Sequence, residues 1–128
     1  MNYLVDTHLA IWSVADSGKL SAKAARFLCD RRASFFFSAA SVWEIATKRS
    51  RHPDEIPLGA GEARSLFLEA GYHELSVSSL HAAAVEALPP IHFDPFDRML
   101  AAQARTEGMA LLTHDHVLPR YGDFVIEV

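Results

Sequence analysis

Tyr3-Leu4-Val5-Asp6-Thr7-His8-Leu9-Ala10-Ile11-Trp12 is the stretch on which the fold turns. Tyr3 to Val5 reads as a short, buried first strand that ends at an acid. Thr7 to Ala15 then reads as a helix, with Leu9, Ile11, Trp12 and Val14 supplying apolar surface, until Asp16-Ser17-Gly18 breaks it. A strand that runs into a helix without a hairpin turn is half of a parallel crossover unit.

The same phrase recurs along the chain. Ser21 reads as the cap of a helix through Asp30, with Ala24, Phe27 and Leu28 on one face. Ser34 to Phe37 reads as a second buried strand, and Ser38 caps a helix through about Arg49 with Val42, Ile45 and Ala46 inward. Residues 51–61, with His52, Pro53, Pro57, Gly59 and Gly61, form a loop, and a helix follows to Ala70, stopped by Gly71. Glu74 to Val77 is a third strand, and Ser78 or Ser79 caps a helix through Leu88. Asp94-Pro95-Phe96-Asp97 opens a helix with a cap, a first-turn proline and an acid; it runs to Glu107 and stops at Gly108. Met109 to Thr113 and Phe124 to Ile126 are the last strands. The fold expected is α/β: a mostly parallel sheet of about five strands flanked by helices, as one domain over residues 1–128.

Composition narrows the class. Half of the 128 residues are hydrophobic and 22% are charged, which argues against disorder. A lone cysteine, Cys29, excludes a disulfide framework, suits a reducing cytosol and reads as core. The opening residues show neither a basic leader nor a long apolar span, so a cytoplasmic protein without a membrane anchor is expected. The net charge of −4 is uneven: residues 1–52 carry +4 and residues 53–128 carry −8. Such a chain does not coat nucleic acid by bulk charge, yet a basic surface can sit beside an acidic pocket.

In parallel α/β sheets the site lies beyond the carboxyl ends of the strands. Asp6 and Asp115 follow the first and fourth strands closely there, and Glu44 and Asp97 stand on helices that can face the same crevice. Each has a purely structural use. Asp6 can cap its helix, Glu44 can complete a capping box with Ser41 or pair with Lys48, Asp97 can favour a helix dipole, and Asp115 can stabilise a turn. If the four gather, their mutual repulsion must be relieved by protonation or by a cation. Oxygen-only ligands suit Mg²⁺ or Mn²⁺, and such ions suit phosphodiester hydrolysis.

Four segments carry a resemblance. They are Leu4-Val5-Asp6-Thr7-His8, Ser38 to Ala46 around Glu44, His92-Phe93-Asp94-Pro95-Phe96-Asp97-Arg98 continuing to Ala104, and Thr113-His114-Asp115. In this order, over nearly the whole chain, they resemble PIN-domain ribonucleases of the VapC toxin type; the third segment is the most specific. The resemblance implies that Asp6, Glu44, Asp97 and Asp115 converge to hold one or two Mg²⁺ or Mn²⁺ ions. It implies endonucleolytic cleavage of RNA that leaves a 5′-phosphate and a 3′-hydroxyl. It also implies a homodimer, inhibited by a small VapB-type antitoxin whose C-terminal segment covers the active site.

Neighbouring residues take supporting parts in this reading. Thr7 and Thr113 can orient carboxylates or water through their hydroxyls, and Asp94, first of all a cap, can be an outer ligand. Lys48, Arg49, Arg51 and Arg98 are candidates for RNA phosphates, with Arg31-Arg32 as a second basic spot. Trp12, Trp43 and Phe96 read as core aromatics with the capacity to stack on bases. A zinc site from His8, His92, His114 and His116 is a competing arrangement, though the spacing does not force the rings onto one ion. Competing functions are a PIN-like binding module without catalysis and a metal-dependent phosphatase or deoxyribonuclease that uses the same acids.

Overall fold

The computed structural model describes residues 1–128. Polar residues at strand ends start the helices. β1 (Asn2–Val5) ends at Asp6, whose carboxylate accepts the Leu9 N–H at 2.8 Å and caps α1 (Thr7–Ala15). A 3₁₀ turn over Ser17–Lys19 leads to α2 (Ala22–Leu28), capped by Ser21. β2 (Ser34–Ser38) passes directly into α3 (Ala39–Arg51), capped by Ser38. α4 (Ala60–Glu69) and β3 (His73–Leu75) follow, then α5 (Ser79–Ala84), where Ser78 and His81 form a reciprocal capping box. α6 (Pro95–Glu107) begins at Asp94 and ends at Gly108, whose φ of +68° favours a residue without Cβ. β4 (Ala110–Thr113), a 3₁₀ turn over Leu118–Tyr121 and β5 (Val125–Glu127) complete the chain.

The strands form one sheet in the order β3-β2-β1-β4-β5, and all four pairings are parallel. Alternate residues of the central strands feed two cores. Tyr3, Val5 and Leu112 pack with Leu9, Ile45 and Phe67 on one face, and Leu4 and Leu111 pack with Leu100 and Leu118 on the other. Leu4, Val5, Leu111 and Leu112 are wholly buried, each worth about 1.5–3 kcal/mol. No helix is long and apolar enough to cross a membrane.

The expected α/β class and five-strand parallel sheet are found, with local corrections. β3 stops at Leu75 rather than Val77, because its partner β2 turns into α3 after Ser38, which pairs with Leu75. The helix expected to run through Leu88 relaxes after Ala84 into a 3₁₀ turn over Val85–Ala87. α2 ends at Leu28, and Cys29 beyond it is exposed rather than core. On α3 the buried positions are Ala40, Ser41, Glu44 and Ile45. Ala46 faces solvent, and Trp43 is 65% exposed, because the buried stripe serves the sheet and the crevice together.

Candidate active site

β1 and β4 are neighbours in the sheet, but the chain leaves β1 toward β2 and leaves β4 toward β5. The crevice opens where the two directions part, beyond the carboxyl ends of both strands. Asp6 lies at its floor, 5% exposed. Its Oδ1 accepts the Leu9 N–H, and its Oδ2 accepts the Thr113 hydroxyl at 2.6 Å and the His114 N–H at 3.0 Å. Burial pushes the Asp6 carboxyl up, against the pull of these donors. The cap and the crevice wall are thus one residue.

Asp115 stands beside it. The Asp115 N–H donates to Thr113 Oγ1 at 2.9 Å, so Thr113 bridges the two acids. Asp115 Oδ1 accepts the Val117 and Leu118 N–H groups at 2.6 and 3.1 Å, which is the turn role. Its Oδ2 lies 2.8 Å from His92 Nε2. Burial opposes its ionisation, but the His92, Val117 and Leu118 bonds outweigh burial and hold it below the ordinary carboxylate range.

α3 aims Glu44 inward, 2% exposed. Ser38, not Ser41, caps this helix, so no capping box holds Glu44. Instead Thr7 Oγ1 lies 2.7 Å from Glu44 Oε1 and 2.8 Å from Ser41 Oγ, while Lys48, one turn on, bonds Glu44 Oε2. Lys48 Nζ is also 4.0 Å from Asp94. Burial disfavours its charge, but the Glu44 bond and the nearby Asp94 and Asp97 raise its pKa overall.

α6 supplies Asp94 and Asp97. Asp94 Oδ1 accepts the Phe96 and Asp97 N–H groups at 2.8 and 3.1 Å, so the cap role is real. Asp97 differs from every other acid here: its carboxylate accepts no hydrogen bond from the chain, and His92 Nε2 lies 3.3 Å from its Oδ2. Burial first, then Asp94 and Glu44, push its pKa up to about 7.

Asp6, Glu44, Asp94, Asp97 and Asp115 line one cavity of about 450 Å³ together with His92 and Lys48. His8, Trp12 and His114 form an aromatic rim, with Trp12 edge-on to His114 at 5.1 Å. Potential ligand atoms of His92, Asp97 and Asp115 lie within 4.8 Å of one another.

Other predicted residues go elsewhere. Arg51 lines an adjoining recess with His8, Lys48 and His52. Arg49 leans over Gly59 before α4, off the face of Glu44. Arg98, a candidate for RNA, is consumed internally: its guanidinium donates to the carbonyls of Val85, Leu88, Pro89 and His92 and to Tyr121 Oη. Arg31 and Arg32 precede β2, at the opposite end of the sheet from the crevice. The histidines do not assemble a zinc site, since His116 bonds Glu127, His114 packs on Trp12, and His92 alone joins a ligand cluster. His92 itself was only one of several histidines in the sequence. Its signal is its place two residues before a capping Asp-Pro, where its ring reaches the Asp94 N–H.

The sequence matches the PIN domain family over residues 3–123. The chain belongs to the PIN domain family. No curated protein sequence matches it. Among solved structures, this PIN domain is similar to VapBC2 from Rickettsia felis bound to a DNA fragment from their promoter, with a TM-score of 0.72 and 14% identity, over 100% of this chain and 98% of that one. It is also similar to a toxin–antitoxin complex from Klebsiella pneumoniae, with a TM-score of 0.66 and 17% identity over 98% and 99% of the chains. VapBC-1 from nontypeable Haemophilus influenzae gives 0.56 and 16% over 90% and 87%. At these identities the likeness is one of fold.

Proposed function

We propose that this PIN domain is a metal-dependent endoribonuclease and the toxin of a toxin–antitoxin pair. The observation that carries the reading is the convergence of Asp6, Glu44, Asp97 and Asp115, from four separate segments, on one cavity in which the Asp97 carboxylate only faces His92 Nε2, at 3.3 Å. Buried carboxylates that are not neutralised by partners call for a cation, and Lys48 is the one ammonium among them. The oxygen-rich donor set fits Mg²⁺ or Mn²⁺. Asp97 is the free ligand; Asp6, Glu44 and Asp115 keep unused lone pairs beside their bonds to the chain. One or two such ions, when bound, polarise a phosphodiester and acidify a water.

The chain's own residues supply the rest. Thr113 and Thr7 fix the rotamers of Asp6 and Glu44, and Asp94 sets the first turn that carries Asp97. Lys48 draws the RNA backbone toward the acids, and Arg51 extends positive charge along the adjoining recess. Trp12 and His114 offer faces to a base.

An antitoxin and a second copy of the chain are the partners this reading adds, and the toxin–antitoxin complexes among the similar folds support the first. The second needs an apolar face. A groove of about 700 Å³ beside α3 and α6 offers one, edged by Trp43, Val77, Phe93 and Met99, with Phe93 89% exposed.

The decisive experiment is Mg²⁺-dependent cleavage of RNA by purified protein and by its Asp6→Asn and Asp97→Asn variants. Loss of cleavage in both is expected. Unchanged cleavage in both, or a wild-type preference for DNA or small phosphoesters over RNA, would overturn the assignment.

A further inference from the structure

His92 is held from every side. Its N–H donates to Tyr121 Oη at 2.9 Å, and its carbonyl accepts from Arg98 at 3.4 Å. Its ring Nδ1 accepts the Asp94 N–H at 3.0 Å. A nitrogen that accepts an N–H carries no proton, so the network assigns the ring proton to Nε2. That nitrogen faces Asp115 Oδ2 at 2.8 Å and Asp97 Oδ2 at 3.3 Å. Phe93, the next residue, is almost wholly exposed, whereas the His92 side chain is only 14% exposed.

The tautomer decides between two roles. A histidine that binds a metal through one nitrogen keeps its proton on the other and donates it to a carboxylate or carbonyl. Here the other nitrogen meets a donor instead of an acceptor. Coordination through Nε2 would require either an imidazolate or the loss of the Asp94 bond that orders the start of α6. Donation from Nε2 requires neither. We propose that His92 is a positioning residue of this site: its Nε2–H holds Asp115 and faces Asp97, setting the gap between two carboxylates from different elements, and His92 itself does not ligate metal. The inference rests on the metal-dependent reading above.

The bond also explains the division between the two acids. Asp115 has one oxygen held by two backbone N–H groups and the other by His92, so its plane is fixed before any cation arrives. Asp97 shares the same imidazole only at longer range and remains free to turn toward a ligand. One ring thereby holds one carboxylate and leaves its neighbour available.

The test has two parts. Nitrogen-15 NMR of the wild-type imidazole, without and with Mg²⁺, is expected to show the Nε2–H tautomer in both states. Loss of that proton on Mg²⁺ addition, or a mixture of tautomers before it, would overturn the proposal. Calorimetric Mn²⁺ binding is expected to weaken about tenfold or more in His92→Phe and to recover in His92→Gln, whose amide N–H reaches the Nε2 position. Wild-type affinity in His92→Phe overturns the positioning role alone. Equal weakness of His92→Gln, in a protein with wild-type circular dichroism, does the same. Absence of Mn²⁺ binding by the wild type, with no change in Asp97→Asn, overturns the metal reading itself.

Discussion

The Thr113 hydroxyl donates to Asp6 at 2.6 Å across 107 residues of sequence, and both groups are buried. The bond ties the end of β4 to the end of β1 at the floor of the crevice. Thr113→Val keeps the shape and removes the donor, leaving a buried carboxylate one partner short. A loss of about 2 kcal/mol is expected, measured by urea unfolding, with Thr113→Ser close to wild type.

Asp97 predicts a pH dependence of the metal-free protein. Its carboxyl is raised from 3.8 to about 7 in the folded state, so the native chain binds the extra proton between these values. Stability is therefore present at the acid end of that window and falls as pH rises through it. Asp97→Asn is expected to flatten this slope and to gain on the order of 2 kcal/mol at about pH 8, a figure reduced for partial exposure. Mg²⁺ is expected to restore stability to the wild type at that pH and not to the variant. Melting curves across the pH range check both.

Arg98 is a structural clamp, which separates it from a residue that binds substrate. Arg98→Ala strands the carbonyls that hold the segment from Val85 to His92. It is expected to cost about 3 kcal/mol of stability, read by denaturant unfolding. The salt dependence of RNA binding, measured below the melting transition, is expected to stay as in the wild type.

Lys48 and Arg51 separate in the opposite way. Arg51 is exposed and bonds no acid, so Arg51→Ala is expected to raise KM with kcat unchanged and to lower the salt slope of RNA binding by about one. Lys48 also bonds Glu44, so Lys48→Ala is expected to lower kcat as well. Steady-state cleavage kinetics at two salt concentrations distinguish them.

Trp43 and Phe93 present large apolar area at the groove beside α3 and α6. If a second copy covers it, Trp43→Ser with Phe93→Ser is expected to shift a wild-type dimer to monomer in sedimentation velocity, with melting temperature little changed. A double variant that remains dimeric places the interface elsewhere.

The order of the elements and the starts of most helices were legible in the sequence because their signals are local. Asp6, Ser21, Ser38, Ser78 and Asp94 cap within three residues of themselves, and Pro95 and Gly108 mark one helix at both ends. The four acids were legible as candidates because each follows a strand or opens onto the crevice face of a helix. Tertiary structure alone decided what each acid is free to do. Whether a carboxylate is saturated depends on donors 23 to 108 residues away: Thr7 for Glu44, His92 for Asp115, and Thr113 and His114 for Asp6. Asp97 and Asp115 look alike in sequence, yet one only faces His92 at 3.3 Å and the other accepts three hydrogen bonds. His92, Arg98, Cys29 and Trp43 turned on the same point: hydrogen-bond satisfaction and burial are properties of the packed sheet and its crossovers, and no local pattern encodes them.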